Sequence, residues 1–305
     1  MYKIKVFTIL ILFVLIIAAC GPAATEEKPV EEAVAEEEVA QPTDMPAETP
    51  KTQLRLAHSW PARIDPAVGG DFIALTFHPN IYDSLVFPNV DGTVGPWLAE
   101  SWDVSSDTLS YTFHLKKGVL FHDGSELMAS DVVYSMNRLL TVGQGMAYLF
   151  TNHVQSIEAI DDYTVTITID KPYALFDLSL VRLSIVNEDL VKANTEAEGQ
   201  YGENGDYGTG WLLTHDAGSG PYQVKDVQLE EYVLLEKNND WWASDQFVAN
   251  SPDEVRFIPV PQAATLRTLM ANQELEISDQ WQSADTIRAV DEIEGVEIAA
   301  YDAVT

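Results

Sequence analysis

Two histidine–carboxylate pairs are the residues best suited to chemistry. His122 adjoins Asp123 within "FHDGSELMASDVVYSMNRL" (121–139), directly after an aromatic run, and His215 adjoins Asp216 at the head of "HDAGSGPY". Such a pair can hold and pass a proton near neutral pH, or supply two ligands to a metal. Either chemistry needs a further ligand or a nucleophile close by, and none is written in the local sequence. The six histidines are scattered singly, which makes metal binding by side chains alone weak. No Walker-type phosphate loop, H-E-x-x-H or G-x-S-x-G elbow occurs. Carboxylate pairs carry no weight in a chain with 48 acidic and 17 basic residues.

The elements around His122 account for it without catalysis. Asp123-Gly124 is a turn dipeptide. Val132, Met136, Leu139 and Leu140 then share one face of a helix over 131–140. Asp131 lies in its first turn, where a negative charge suits the helix dipole, and Ser130 or Asp123 can cap nearby donors. The turn-and-cap reading is preferred. A metal-dependent, lipid-anchored hydrolase using His122 or His215 is the alternative of another class.

Segments 54–59, 109–115, 163–169, 232–238 and 254–260 alternate β-branched or aromatic residues with polar ones and are predicted strands. Shorter candidates lie at 275–279 and 296–301. Helical spacing occurs at 131–140, 187–194, 261–273 and 284–295. The last two helices each sit between strands, the pattern of an α/β sheet covered by helices. Residues 89–217 are more strand-dense and loop-rich.

The N-terminus has the layout of an export signal. Lys3 and Lys5 precede an apolar run from Val6 to Ala19 broken only by Thr8. Those residues would span about 21 Å as a helix, short of a bilayer core of roughly 30 Å. Ile17-Ala18-Ala19-Cys20 resembles a bacterial lipobox, with Cys20 as the lipidated residue. An ordinary signal peptide cut after Ala19 and an uncleaved anchor are the alternatives. Cys20 is the sole cysteine, so the body holds no disulfide, thiolate metal site or cysteine nucleophile. Residues 21–52 carry nine acidic side chains against Lys28 and Lys51 and no aromatic residue, the composition of a disordered tether. Residues 53–305 carry a net charge of −26, which repels nucleic acid phosphates and anionic lipid heads.

Residues 97–139, "WLAESWDVSSDTLSYTFHLKKGVLFHDGSELMASDVVYSMNRL", resemble the signature of the family 5 solute-binding proteins, the peptide-, oligopeptide- and nickel-binding components of ABC importers. The resemblance continues in order through "IDPA" (64–67), "IYDSLV" (81–86), "SIEAIDDYTVTITIDKPYALF" (156–176), "GSGPYQV" (218–224), "LLEKNNDWW" (234–242), "DEVRFIPV" (253–260) and "ATLRTLMANQELEISD" (264–279). Met128 stands where the family places a helix-capping Thr, and Ser130 is expected to take that role.

The resemblance implies a clamp of the type II periplasmic-binding class. Its expected parts are a lipoprotein signal peptide (1–20), the acidic tether (21–52), lobe I in two segments (53–88 and 218–300) and an extra α+β domain (89–217). Residues 301–305 would begin a second lobe that is truncated here. The resemblance further implies a lipid-anchored, monomeric, extracytoplasmic protein without a cofactor. It would capture peptides and pass them to the permease subunits of an ABC transporter. Oligosaccharides, nickel chelates and haem are alternative ligands on the same fold. Expected ligand contacts are Trp60, Gly69, Gly70, Asp71, Phe72, Gly220, Tyr222 and Trp281, where glycines permit backbone approach and aromatic rings offer flat walls.

Overall fold

The computed structural model describes residues 51–58, 62–70 and 72–299. Cys20, the tether except Lys51 and Thr52, Trp60, Asp71 and residues 301–305 lie outside the described residues. Strand β1 (Gln53–His58) leads through a loop to helix α1 (Phe72–Ile81). A hairpin of β2 (Val86–Pro88) and β3 (Val94–Pro96) follows, then β4 (Ala99–Val104) and β5 (Ser110–Leu115). Helix α2 (Ala129–Val142) precedes β6 (Val154–Asp161) and β7 (Thr164–Ile169). Short helices α3 (Phe176–Ser179) and α4 (Glu188–Ala193) come next. Strands β8 (Tyr222–Gln228), β9 (Tyr232–Lys237) and β10 (Glu254–Pro259) lead to α5 (Ala263–Ala271), β11 (Ile277–Ser278) and α6 (Ala284–Asp291).

The first sheet has the order β11-β1-β10-β9-β8. Strand β1 pairs in parallel with β10 and β11, while β10, β9 and β8 pair antiparallel. Parallel neighbours need a crossover, and α5 supplies it between β10 and β11. The second sheet, β4-β5-β7-β6, is antiparallel throughout. Strands β5 and β7 bury every second residue, Tyr111, Phe113 and Leu115 on one and Val165, Ile167 and Ile169 on the other. Period-2 burial gives this sheet one covered face, and α2 packs across β6 and β7.

A continuous core joins the two sheets, from Ile64, Phe77 and Ile81 through Phe113, Met136 and Phe176 to Leu235 and Phe257. A smaller cluster of Ala57, Val260, Leu266, Met270, Leu275 and Val290 lies under α5 and α6.

Three local expectations differ from the structure. Residues 296–299 form no strand, and 300–301 lie outside the described residues. Helix α1 was not signalled, because its sequence is apolar on most sides and contains Pro79, a residue that ordinarily ends helices. Ser130 does not cap α2: Met128 is the N-cap residue, and its backbone N–H donates to Asp131 Oδ2 at 2.8 Å. The helix ends at Gly143, whose φ of 67° is left-handed.

Candidate ligand cleft

Helix α1 presents two faces. Phe77 and Ile81 are fully buried, and Phe77 meets Phe257 of β10 edge-on at 4.9 Å between ring centroids. Ala74, Leu75, His78, Pro79 and Tyr82, at helical spacing, instead line an open cavity of about 630 Å³. Pro79 has no N–H, so the carbonyl of Leu75 loses its ordinary helical donor beside this cavity.

Two further segments complete the wall. Residues 175–184 bury Phe176, Leu180 and Leu183 in the core, while Leu175, Leu178, Val181, Arg182 and Ser184 line the cavity. After Gly143, Ala147 and Phe150 are buried, and Met146, Tyr148 and Leu149 line the cavity. Phe87, Tyr148 and Leu175 are exposed by 48%, 68% and 55%, so an apolar rim faces solvent at its mouth. Trp97 closes one side, stacking near Phe87 at 4.7 Å and donating its indole N–H to buried Asp83 at 2.8 Å. Burial pushes the Asp83 carboxyl up, against the lowering effect of hydrogen bonds from Trp242, Ser219 and Trp97.

The loop that enters α1 is held by charge. Arg138, on α2, is 1% exposed and grips Asp65 with two bonds of 2.7 Å, while its Nε donates to the Tyr207 carbonyl at 2.9 Å. This places Pro66 on the cavity wall. A Cβ built on Gly70 would lie 2.9 Å from Gly145, and one on Gly145 would lie 2.9 Å from the Pro66 carbonyl. Glycine at both positions lets the two cavity loops meet backbone to backbone.

The expected contacts divide by location. Gly69 lies beside the cavity, since its Cβ would meet the His78 ring at 2.8 Å, and Phe72 opens α1 two residues before Ala74. Gly220, Tyr222 and Trp281 are not among the residues lining this cavity. Gly220 donates to the Ile81 carbonyl at 2.8 Å, and a Cβ on it would lie 2.6 Å from that carbonyl carbon. Tyr222 is buried with its hydroxyl on the Pro252 carbonyl at 2.9 Å. Trp281 is 45% exposed in the turn after β11. Tyr148, Tyr173 and Arg182 were missed. Arg182 carried a usable signal, a lone cation inside the apolar run "LSLVRLSIV" of an acidic chain.

His122 is built into the frame. Its Nδ1 lies 2.5 Å from Asp216 Oδ1, and its Nε2 lies 3.0 Å from the Gly220 carbonyl. Its neighbour Asp123 instead accepts from the backbone N–H and hydroxyl of Ser125 and from the Asn187 amide. Asp216 also accepts the Val224 N–H at 2.7 Å. His122 of one sequence pair and Asp216 of the other therefore join the 121–124 turn to β8, whereas His215 Nδ1 lies 3.1 Å from the Trp211 carbonyl and 3.0 Å from the Thr214 hydroxyl.

Residues 93–304 match the family described as bacterial extracellular solute-binding proteins, family 5 Middle, and the chain belongs to that family. It is 30% identical over 265 residues to the "Probable D,D-dipeptide-binding periplasmic protein DdpA" of Escherichia coli, covering 84% of this chain and 48% of that protein. It is 32% identical over 183 residues to heme-binding protein A of Haemophilus influenzae, covering 53% of this chain and 32% of that one. The ABC transporter-associated periplasmic binding protein DppA of Helicobacter pylori, solved with the peptide STSA, matches with a TM-score of 0.59 and 29% identity over 74% of this chain and 46% of its own. The fold is the mixed α/β fold of type II periplasmic binding proteins. The chain spans about half the length, or less, of the curated relatives it matches. The curated relatives named here are binding proteins.

Proposed function

We propose that this chain captures peptides outside the cytoplasm and presents them to the permease of an ABC importer. The observation that carries the reading is the open apolar cavity with exposed Phe87, Tyr148 and Leu175 at its mouth. A cavity of this size and lining suits varied apolar side chains, while backbone acceptors such as the Leu75 carbonyl suit a peptide's N–H groups. The names of relatives support the same ligand class, since they include dipeptide- and oligopeptide-binding proteins. This reading divides the body into lobe I (53–88 and 218–300) and an extra domain (89–217); it is supported by the separate sheets of β1 with β8–β11 and of β4–β7, while the β2–β3 hairpin spans the boundary. In this reading Gly69, Gly70 and the start of α1 at Phe72 border the cleft, Trp281 contacts ligand farther out, and Gly220 and Tyr222 support the wall from behind, while the expected contacts Trp60 and Asp71 lie outside the described residues. Lipidation of Cys20 would hold a monomer at the membrane, with the acidic tether as spacer.

Ligand-observed NMR of the 305-residue chain with a tripeptide pool and an oligosaccharide pool tests the proposal, because it also reads weak binding. Peptides should bind, and Tyr148→Ala should weaken them by about 5- to 30-fold, the loss of one central aromatic contact. Binding of oligosaccharides alone would overturn it.

A further inference from the structure

Arg182 differs from the other arginines that are shielded from solvent. Arg55 pairs with Glu276 and Arg138 with Asp65. Arg256, whose buried Nε has no hydrogen-bond partner among the described residues, still lies over the Tyr232 ring at 3.8 Å, a contact that Arg182 lacks. The guanidinium of Arg182, partly buried, has no ion pair or hydrogen bond among the described residues. That isolation is unusual where acidic residues outnumber basic ones by 48 to 17. Among the described residues that line the cavity there is no Asp, Glu or Lys, and Arg182 is the one permanently charged group.

A partly buried guanidinium in a cavity also lined by Tyr173, Leu175, Leu178 and Val181 gives up part of its hydration without a protein carboxylate in return. Its planar fork matches a carboxylate with two parallel bonds, and weak screening in an apolar cleft strengthens both. The ring and alkyl surfaces of the same cavity suit an uncharged body attached to that carboxylate.

We propose that Arg182 is a specificity residue that receives a ligand carboxylate adjoining an apolar or aromatic group. Resting on the peptide reading above, the carboxylate is a peptide's C-terminus after an apolar residue. A free organic acid offers the same chemistry, and the probes separate the two sources.

Three probes are titrated into the 305-residue chain by ligand-observed NMR: alanyl-alanyl-phenylalanine, its C-terminal amide, and 3-phenylpropanoate. Amidation should weaken the tripeptide by about 10- to 100-fold, the range for a charge-assisted bidentate contact. In Arg182→Gln the acid and amide should bind alike, and Arg182→Lys should restore part of the preference. The melting temperature of Arg182→Gln should match that of the parent, since Arg182 makes no internal bond. Equal binding of acid and amide by the parent overturns the proposal, as does an amidation penalty that persists unchanged in Arg182→Gln. Arg182-dependent binding of 3-phenylpropanoate without either tripeptide would uphold the carboxylate site and overturn the peptide reading. Failure of both carboxylates to bind would overturn both.

Discussion

His122 is flanked by acceptors on both ring nitrogens, the Asp216 carboxylate and the Gly220 carbonyl, an arrangement that only the imidazolium satisfies twice over. Burial lowers its pKa, but the Asp216 hydrogen bond and charge, the Gly220 carbonyl and the Asp83 charge outweigh it and leave it above the ordinary 6.5. A group held above its unfolded pKa contributes its full stabilisation below 6.5 and loses it as pH rises through the folded value. The melting-temperature gap between the parent and His122→Gln should therefore narrow as pH is raised from about 6 to 9. A gap independent of pH would show that His122 is held neutral. Asp131 acts in the same direction at lower pH. Burial, opposed by the Glu188 and Met128 N–H groups and reinforced by the Glu188 and Asp189 charges, raises it from 3.8 to about 6, so its ionisation weakens the fold as pH climbs through that range. The pairing of His122 was hidden in the sequence. Adjacency pointed to Asp123, whereas the partner Asp216 lies 94 residues away, and only the fold brings them together.

At the scale of elements, the segment Gly218-Ser219-Gly220 crosses the end of α1 at backbone contact. A Cβ on Gly218 would lie 2.0 Å from the Ile81 carbonyl oxygen, and Ser219 donates to buried Asp83 at 2.9 Å. Gly218→Ala has no flexible side chain to push aside, and a loss of about 1–3 kcal/mol is expected in urea unfolding. The Asp65–Arg138 pair ties the 62–70 loop to α2. Arg138→Ala strands a buried carboxylate and should cost about 3–5 kcal/mol, while Asp65→Leu with Arg138→Met should cost clearly less. Equal losses in the single and double variants would mean that the pair contributes by packing alone. Strands such as β5, β7 and β10 were legible because half-burial imposes a period of two on their side chains. Helix α1 was not, since it is buried against the core on one side and apolar toward the cleft on the other. The cleft itself was only partly legible. The glycine loop 69–70 stood out by composition, but Tyr148 and Arg182 reach the same cavity from segments more than 70 residues farther along.

For the whole molecule, the proposed function sets a lipidated Cys20 and an acidic spacer before the folded body. Cys20→Ser should abolish acylation and release the protein from the membrane fraction, because stable anchoring requires more than one acyl chain. Retention of a label-free variant on membranes would contradict lipid anchoring. Deletion of residues 22–50 should leave the melting temperature unchanged, since that segment has no aromatic side chain to bury. The central claim is that ligand enters the cavity between α1, the 146–149 turn and residues 173–184. Hydrogen–deuterium exchange of the 305-residue chain, with and without a saturating tripeptide pool, tests it most directly. Protection is expected to concentrate at 146–149 and 173–184. Protection confined to the polar pocket around His122, Lys237 and Asp240, with the cavity segments unchanged, would contradict it.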